Sequence, residues 1–249
     1  MALTTLTRVA HACTLLDFDG HTILTDPWLS EKPGYYQGEK RAYATAADLP
    51  PLAGVVISHG HYDHFDMDAF AAYPDKTVPM AVKRGLGAKT RSYGFTDVTE
   101  LDAWQSTELG PVRITATPAK HKVPEVTFVL ESAGSRVFFG ADTMRIAELD
   151  EIAQRFGEID LALLPINGLT IRPLLNRQVV MNAAQAADLT RTLRPRLAVP
   201  IHYAFTGGPI RDRLLLKKDP RPEMFVDAAA DIAPDTKVHV LDPGQPLTL

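Results

Sequence analysis

An αββα sandwich is the α/β fold that this 249-residue sequence predicts, with two mixed β-sheets packed face to face and helices on the outer faces. Short apolar runs alternate with turn signals through the first half, strand-then-helix runs recur in both halves, and no repeat interrupts them. The length sits near the upper limit for one hydrophobic core, so residues 1–249 are expected to form one domain.

Strands are expected at Leu6 to Val9, Cys13 to Phe18, Thr22 to Thr25, Val55 to Ser58, Val78 to Val82 and Val98 to Leu101. A second set follows at Val112 to Thr117, Val126 to Glu131, Arg136 to Phe139, Leu161 to Leu164, Leu197 to Ile201 and Lys237 to Leu241. Asp19-Gly20 predicts a hairpin, because both residue types tolerate the positive φ of a tight turn. Helical spacing appears at Met67 to Tyr73, Ile146 to Phe156, Asn182 to Leu193 and Glu223 to Ile232. The third is the clearest, with Asn182 as its cap and Arg194-Pro195 ending it.

Composition narrows the function. Hydrophobic content of 45%, charged content of 22% and a net charge of −4 describe an ordinary soluble protein without the basic excess that attracts nucleic acid. No apolar stretch approaches the roughly 20 residues needed to span a bilayer. Met1 to Arg8 lacks the apolar core of a signal peptide, so a cytoplasmic location is expected. Cys13 is the only cysteine, which excludes an internal disulfide and leaves His, Asp and Glu as metal ligands.

Residues 59 to 64 read His59-Gly60-His61-Tyr62-Asp63-His64, directly after Val55-Val56-Ile57. Such a cluster arises by chance about once in a thousand sequences of this histidine content. Residues two apart in an extended segment point the same way, so His59 and His61 can grip one ion, while Asp63 and His64 can face a second. His121 can complete the first set and His202 the second, and the two oxygens of Asp142 can bridge both ions. All follow apolar strands, where loops gather at one rim.

This order, His-x-His-x-Asp-His followed by His, Asp and His, resembles the metallo-β-lactamase superfamily. Phe65-Asp66 after the motif, the early Leu24-Thr25-Asp26-Pro27-Trp28 and Pro165-Ile166-Asn167-Gly168 look like the branch of L-ascorbate-6-phosphate lactonase and N-acyl-phosphatidylethanolamine phospholipase D. One departure is Gly140-Ala141-Asp142-Thr143, where that branch usually has Gly-Asp-Thr-Gly. The resemblance implies two divalent metal ions, zinc first with manganese or iron as alternatives. It also implies a metal-bridging hydroxide acting on a small-molecule ester, lactone or phosphodiester. Asp63 would orient that nucleophile or pass on its proton. Asp26 would steady a ligand histidine, the plainer role being a turn cap before Pro27. A lipid-directed, phospholipase D-like phosphodiesterase and an inactive binding member of the fold are the alternatives, and self-association is left open.

His11, in the turn between the first two strands, could approach the metals or donate a hydrogen bond to substrate; the plainer alternative is a solvent-exposed turn histidine. His21, His239 and Tyr203 are expected to be bystanders or core. Two loops are the substrate-shaping candidates: residues 29–44 with Tyr35 and Tyr36, and residues 204–222 with Arg211, Arg213, Lys217, Lys218 and Arg221. The basic character of the second suits an anionic substrate held by Arg211 and Arg213, or else a solvated helix or an intersubunit contact.

Overall fold

The computed structural model describes residues 2–172 and 175–249. The first half forms a seven-stranded sheet from β1 (Leu3–Ala10), β2 (Cys13–Phe18), β3 (His21–Thr25), β4 (Gly54–Ile57), β5 (Met80–Lys83) and β6 (Val98–Leu101). The last strand, β17 (Pro246–Thr248), closes its edge against β1. The second seven-stranded sheet holds β7 (Ser106–Leu109), β8 (Val112–Pro118), β9 (Val126–Ser132), β10 (Ser135–Phe139), β11 (Leu161–Pro165), β14 (Leu197–Ile201) and β16 (Lys237–Val238). Both sheets are mixed. The hairpin-linked strands run antiparallel, whereas β3 to β6 and β10-β11-β14-β16 run parallel.

Period-two alternation decides which layer each side chain enters. Val56 points between the sheets, while Val55 and Ile57 pack outward under α1 (Met67–Phe70). Val137, Phe139, Leu161 and Leu163 likewise enter the central layer with Phe128 and Leu130. Phe138, Ala162 and Leu164 face α3 (Asp150–Phe156), α4 (Ala183–Leu193) and α6 (Glu223–Ile232) on the other side. The outer helices therefore lie where the αββα expectation places them. In α4 the Asn182 side chain accepts the Gln185 amide and Gln185 reaches back to the Asn182 amide, a reciprocal cap that fixes where the helix starts.

Several elements differ from the sequence expectation. The helix expected at Met67 to Tyr73 ends at Phe70, and the Ile146–Phe156 segment is a 3-10 turn followed by α3. The strand expected at Lys237 to Leu241 keeps only two paired residues. Strand β7, α2 (Gly87–Ser92) and α5 (Pro209–Leu214) carry too few apolar residues to show a period. A small third sheet also forms from β12 (Thr170–Ile171), β13 (Arg177–Gln178) and β15 (Leu216–Lys217), pieces too short to be seen without their partners.

Phe128 is fully buried in the central layer. Phe128→Ala is predicted to lower unfolding free energy by about 3–5 kcal/mol, measured by urea titration, with an unchanged urea dependence showing that the fold itself persists.

Candidate metal centre

Strand ends deliver the polar side chains to one rim. His59 follows β4, His121 follows β8, Asp142 follows β10, His202 follows β14, Asp26 follows β3 and His11 follows β1. His11, Asp26, Ala141 and His202 all have positive φ, at 58°, 34°, 43° and 56°. Non-glycine residues adopt such angles only where surrounding contacts hold them, and here they turn the chain sharply after each strand. The Gly140-Ala141-Asp142 departure is accommodated in this way: Ala141 takes the left-handed turn and Asp142 enters the site.

Two donor groups result. Nitrogen or oxygen atoms of His59, His61, His121 and Asp142 lie within 4.8 Å of one another, as do those of His11, Asp63, His64 and His202. In the first group His61 Nδ1 lies 2.9 Å from His59 Nε2 and 3.2 Å from His121 Nε2. Asp142 stands between the groups, with Oδ1 2.8 Å from His202 Nε2 and 3.1 Å from His64 Nε2. Its Oδ2 lies 3.8 Å from His121 Nε2 and 3.9 Å from His59 Nε2. Donors about 2.0–2.2 Å from a shared ion are spaced in this way. Among the described residues, the side-chain nitrogens of His11 and His202, His64 Nε2 and Asp142 Oδ1 are buried without a hydrogen-bond partner, so the set fits a metal better than it satisfies itself.

Behind the donors lie their supports. Asp26 accepts hydrogen bonds from His64 Nδ1 (2.7 Å), the Ser58 amide (2.7 Å) and the Ser58 hydroxyl (2.6 Å), which aims His64 Nε2 at Asp142. His121 Nδ1 donates to the Val179 carbonyl at 2.7 Å. Glu125, absent from the sequence-based set, is buried and accepts the Asp142 amide at 2.7 Å, with its Oε1 3.7 Å from His59 Nδ1. Its only sequence signal is an acid at the mouth of an apolar strand.

Burial and charge set the protonation states. Burial lowers His59 and His121 below the usual imidazole range, and takes His61 to about 4 and His11 to about 3. Burial also opposes a charged His64, but the nearby Asp142 charge and the hydrogen bond to Asp26 outweigh it and hold this ring well above its usual value. For Asp142, burial is likewise outweighed by His202 and His64, and the carboxyl lies well below its usual range. Glu125 is pushed up by burial and by the Asp142 charge.

The donors open into a cavity of about 80 Å³. Tyr35, Leu169, Val179 and Phe205 wall it, and Arg211 and Lys122 supply positive charge. Arg213 is exposed and does not line it. Much of the basic character expected of residues 204–222 is neutralised internally, Lys218 by Asp212 at 3.0 Å and Arg221 by Asp219 at 2.5 Å. The exposed-turn alternative for His11 is overturned, because the ring is fully buried. Tyr203 is core, its hydroxyl accepting from Arg8 at 2.7 Å. The two candidate loops are joined by paired hydrogen bonds between Tyr36 and Thr206, each 2.9 Å. Larger hollows, of about 840 Å³ beside Glu39 and Pro243 and about 740 Å³ beside Tyr36 and Ile210, contain none of the donors.

The family described as a beta-lactamase superfamily domain matches residues 21–203, which includes the His59–His64 cluster, His121, Asp142 and His202. The chain belongs to the metallo-β-lactamase superfamily. Among its relatives, Rv0906 of Mycobacterium tuberculosis is 33% identical over 239 residues, covering 84% of this chain; the chain spans only 63% of that protein's length. N-acyl-phosphatidylethanolamine-hydrolyzing phospholipase D 1 of Caenorhabditis elegans is 27% identical, covering 96% of this chain and 74% of its own. In structure, the metallo hydrolase Igni18 of Ignicoccus hospitalis superposes with a TM-score of 0.76 at 22% identity, over 100% of this chain and 99% of its own, a likeness of fold. Among the described residues no helix is long and apolar enough to cross a membrane.

Asp26→Asn is expected to weaken divalent-metal affinity about 10–100-fold, read by competition with a chromogenic chelator; unchanged affinity would confine Asp26 to the Ser58 turn. Without metal, His11 and His61 reject protons that the unfolded chain binds between their lowered values and 6.5, so stability falls as pH drops through that window. The raised His64 acts oppositely, losing stability as pH rises above 6.5. Urea midpoints of chelator-treated protein should therefore peak near neutrality, and a flat profile would contradict these protonation states.

Proposed function

We propose that the protein is a metal-dependent hydrolase of a small anionic ester, lactone or phosphodiester. The observation that carries this reading is the pair of donor groups sharing Asp142 at the floor of a cavity whose cations are Arg211 and Lys122. His59, His61 and His121 would hold one divalent ion and Asp63, His64 and His202 the other, with Asp142 common to both. Zinc is the first candidate, with manganese or iron as alternatives. Divalent ions held there would supply Lewis acidity and lower the pKa of a bound water to about 7.

The chain's own groups do the rest. Arg211 donates to the Gly34 carbonyl at 2.6 Å and lies over the Tyr35 ring, which steadies its charge at the cavity wall. An acidic or phosphoryl group entering beside it would be held there. Tyr35, Phe205 and Leu216 exclude water, which strengthens that attraction. The cavity has room for roughly two or three waters, so it admits the reacting group and leaves the remainder of a substrate outside. Asp63 lines the cavity, and although burial favours its acid form, its contacts with His11 and His64 outweigh that and hold its carboxyl below the usual range. A carboxylate so placed can take a proton from the attacking water.

A second reading, a lipid-directed phosphodiesterase, is favoured by the groove of about 740 Å³ that Tyr36, Pro209, Ile210, Leu214 and Leu215 form. Arg211 lines both groove and cavity, so an anionic head at the metals could trail an apolar chain along α5.

Metal analysis combined with a panel of p-nitrophenyl esters, lactones, bis-p-nitrophenyl phosphate and N-acyl-phosphatidylethanolamine tests both readings. Chelator-sensitive turnover of the small substrates supports the first, turnover of the lipid alone supports the second, and turnover indifferent to chelator removes both. Arg211→Ala should raise KM for an anionic substrate about tenfold with little change in kcat, and an unchanged KM would remove the anion from the reading. Asp63→Asn should lower kcat about 10²–10⁴-fold in protein that still binds metal; retained turnover would end the proton-transfer role.

A further inference from the structure

His11 occupies a turn that costs the chain effort to hold. Between hairpin strands, an Asn-Gly or Asp-Gly pair adopts positive φ easily and leaves its side chains in water. Here the turn is His11-Ala12, with His11 at φ 58°. Its amide donates to the Glu39 carboxylate at 2.7 Å, and Glu39 is fixed in turn by Arg8 at 2.7 Å. Arg8 is itself fully buried and also donates to the Leu241 carbonyl at 2.6 Å. The Ala12 carbonyl accepts from Thr25 at 2.7 Å. An ion pair between buried Arg8 and partly exposed Glu39, together with a threonine, thus braces a strained two-residue turn, and what the bracing achieves is an inward-pointing imidazole.

Among the described residues, neither nitrogen of that imidazole has a hydrogen-bond partner. Trp28 meets it edge-on with ring centres 4.8 Å apart, His202 lies across it at 4.0 Å, and it is sealed from solvent. Its Nε2 comes within 3.5 Å of Asp63 Oδ2 without hydrogen-bond alignment. Fully buried, the ring turns a nitrogen toward the donor atoms of its neighbours. That nitrogen shares a group with the donor atoms of Asp63, His64 and His202, all within 4.8 Å of one another.

We propose that His11 is itself a ligand of the ion held by Asp63, His64 and His202. This rests on the two-ion reading of the site given above. The two groups then differ: the first has three imidazoles and Asp142, whereas the second has His11, Asp63, His64, His202 and Asp142. The second ion is held by more protein donors, so it leaves last under chelation, and it suits metals that accept more than four ligands.

His11→Gly tests the assignment, because glycine takes φ 58° without strain and the turn survives. Wild-type and variant protein, stripped with chelator, are titrated with Co²⁺ and followed by visible absorption, metal counting and competition with a chromogenic chelator. Expected for the wild type are two classes of site. Expected for His11→Gly are a loss of about tenfold or more in affinity of the tighter class, a stronger ligand-field spectrum as its coordination number falls, and recovery of both on adding imidazole. Identical titrations and spectra for the two proteins would overturn the proposal. So would weakened binding that imidazole does not restore and that leaves the spectrum unaltered, since packing alone would then explain it. A wild type that binds no Co²⁺ would instead bring down the two-ion reading itself, and because turnover is not measured, the two failures stay distinct.

Discussion

One buried carboxylate organises this molecule. Asp142 has almost no contact with water, yet its two oxygens face four imidazoles from three separate segments. A charge in such surroundings is tolerated only when opposite charge or a metal meets it. His59 and His64 come from the end of one sheet, His121 and His202 from the other, so satisfying Asp142 requires both sheets to end at the same height. The central apolar layer that joins the sheets and the polar rim above it are thus two expressions of one registration.

The price of that registration appears in the backbone. Positive φ at His11, Asp26, Ala141 and His202 places local strain where strands become loops, and the compensating contacts are non-local: Glu39 on His11, Ser58 on Asp26, Glu125 on Asp142. Parts of the site are therefore held in place by residues far away in sequence. This is the arrangement expected where function, rather than local propensity, dictates conformation.

Legibility from sequence follows the same division. The strands that lead to His59, Asp142 and His202 were readable, because each is a continuous apolar run ending in a polar residue, and spacing within His59–His64 carries its own geometry. His11 was not readable as a buried group, since Trp28, His202 and Phe205 close over it from elsewhere in the chain. Glu125 belongs to no spacing pattern, and its role exists only because β9 begins beside the Asp142 turn. Lys122 belongs to no motif, whereas Arg213 sits in a conspicuously basic loop, and only the tertiary structure shows which of them reaches the cavity. The two-residue strands β12, β13 and β15 have no signal at all without one another.

The pairing of Tyr36 with Thr206 gives the two loops beside the cavity a shared fate. Gly38 reinforces it, for a Cβ there would sit 1.9 Å from the Ala204 carbonyl oxygen, so the two segments touch backbone to backbone. They behave as a single woven lid-frame rather than as independent insertions. Lengthening or swapping one alone would tear the seam and drag Arg211, which is anchored on Gly34, out of place. A designer seeking a new substrate on this scaffold would need to exchange both halves together, although Tyr36 and Thr206 stand 170 positions apart in the chain.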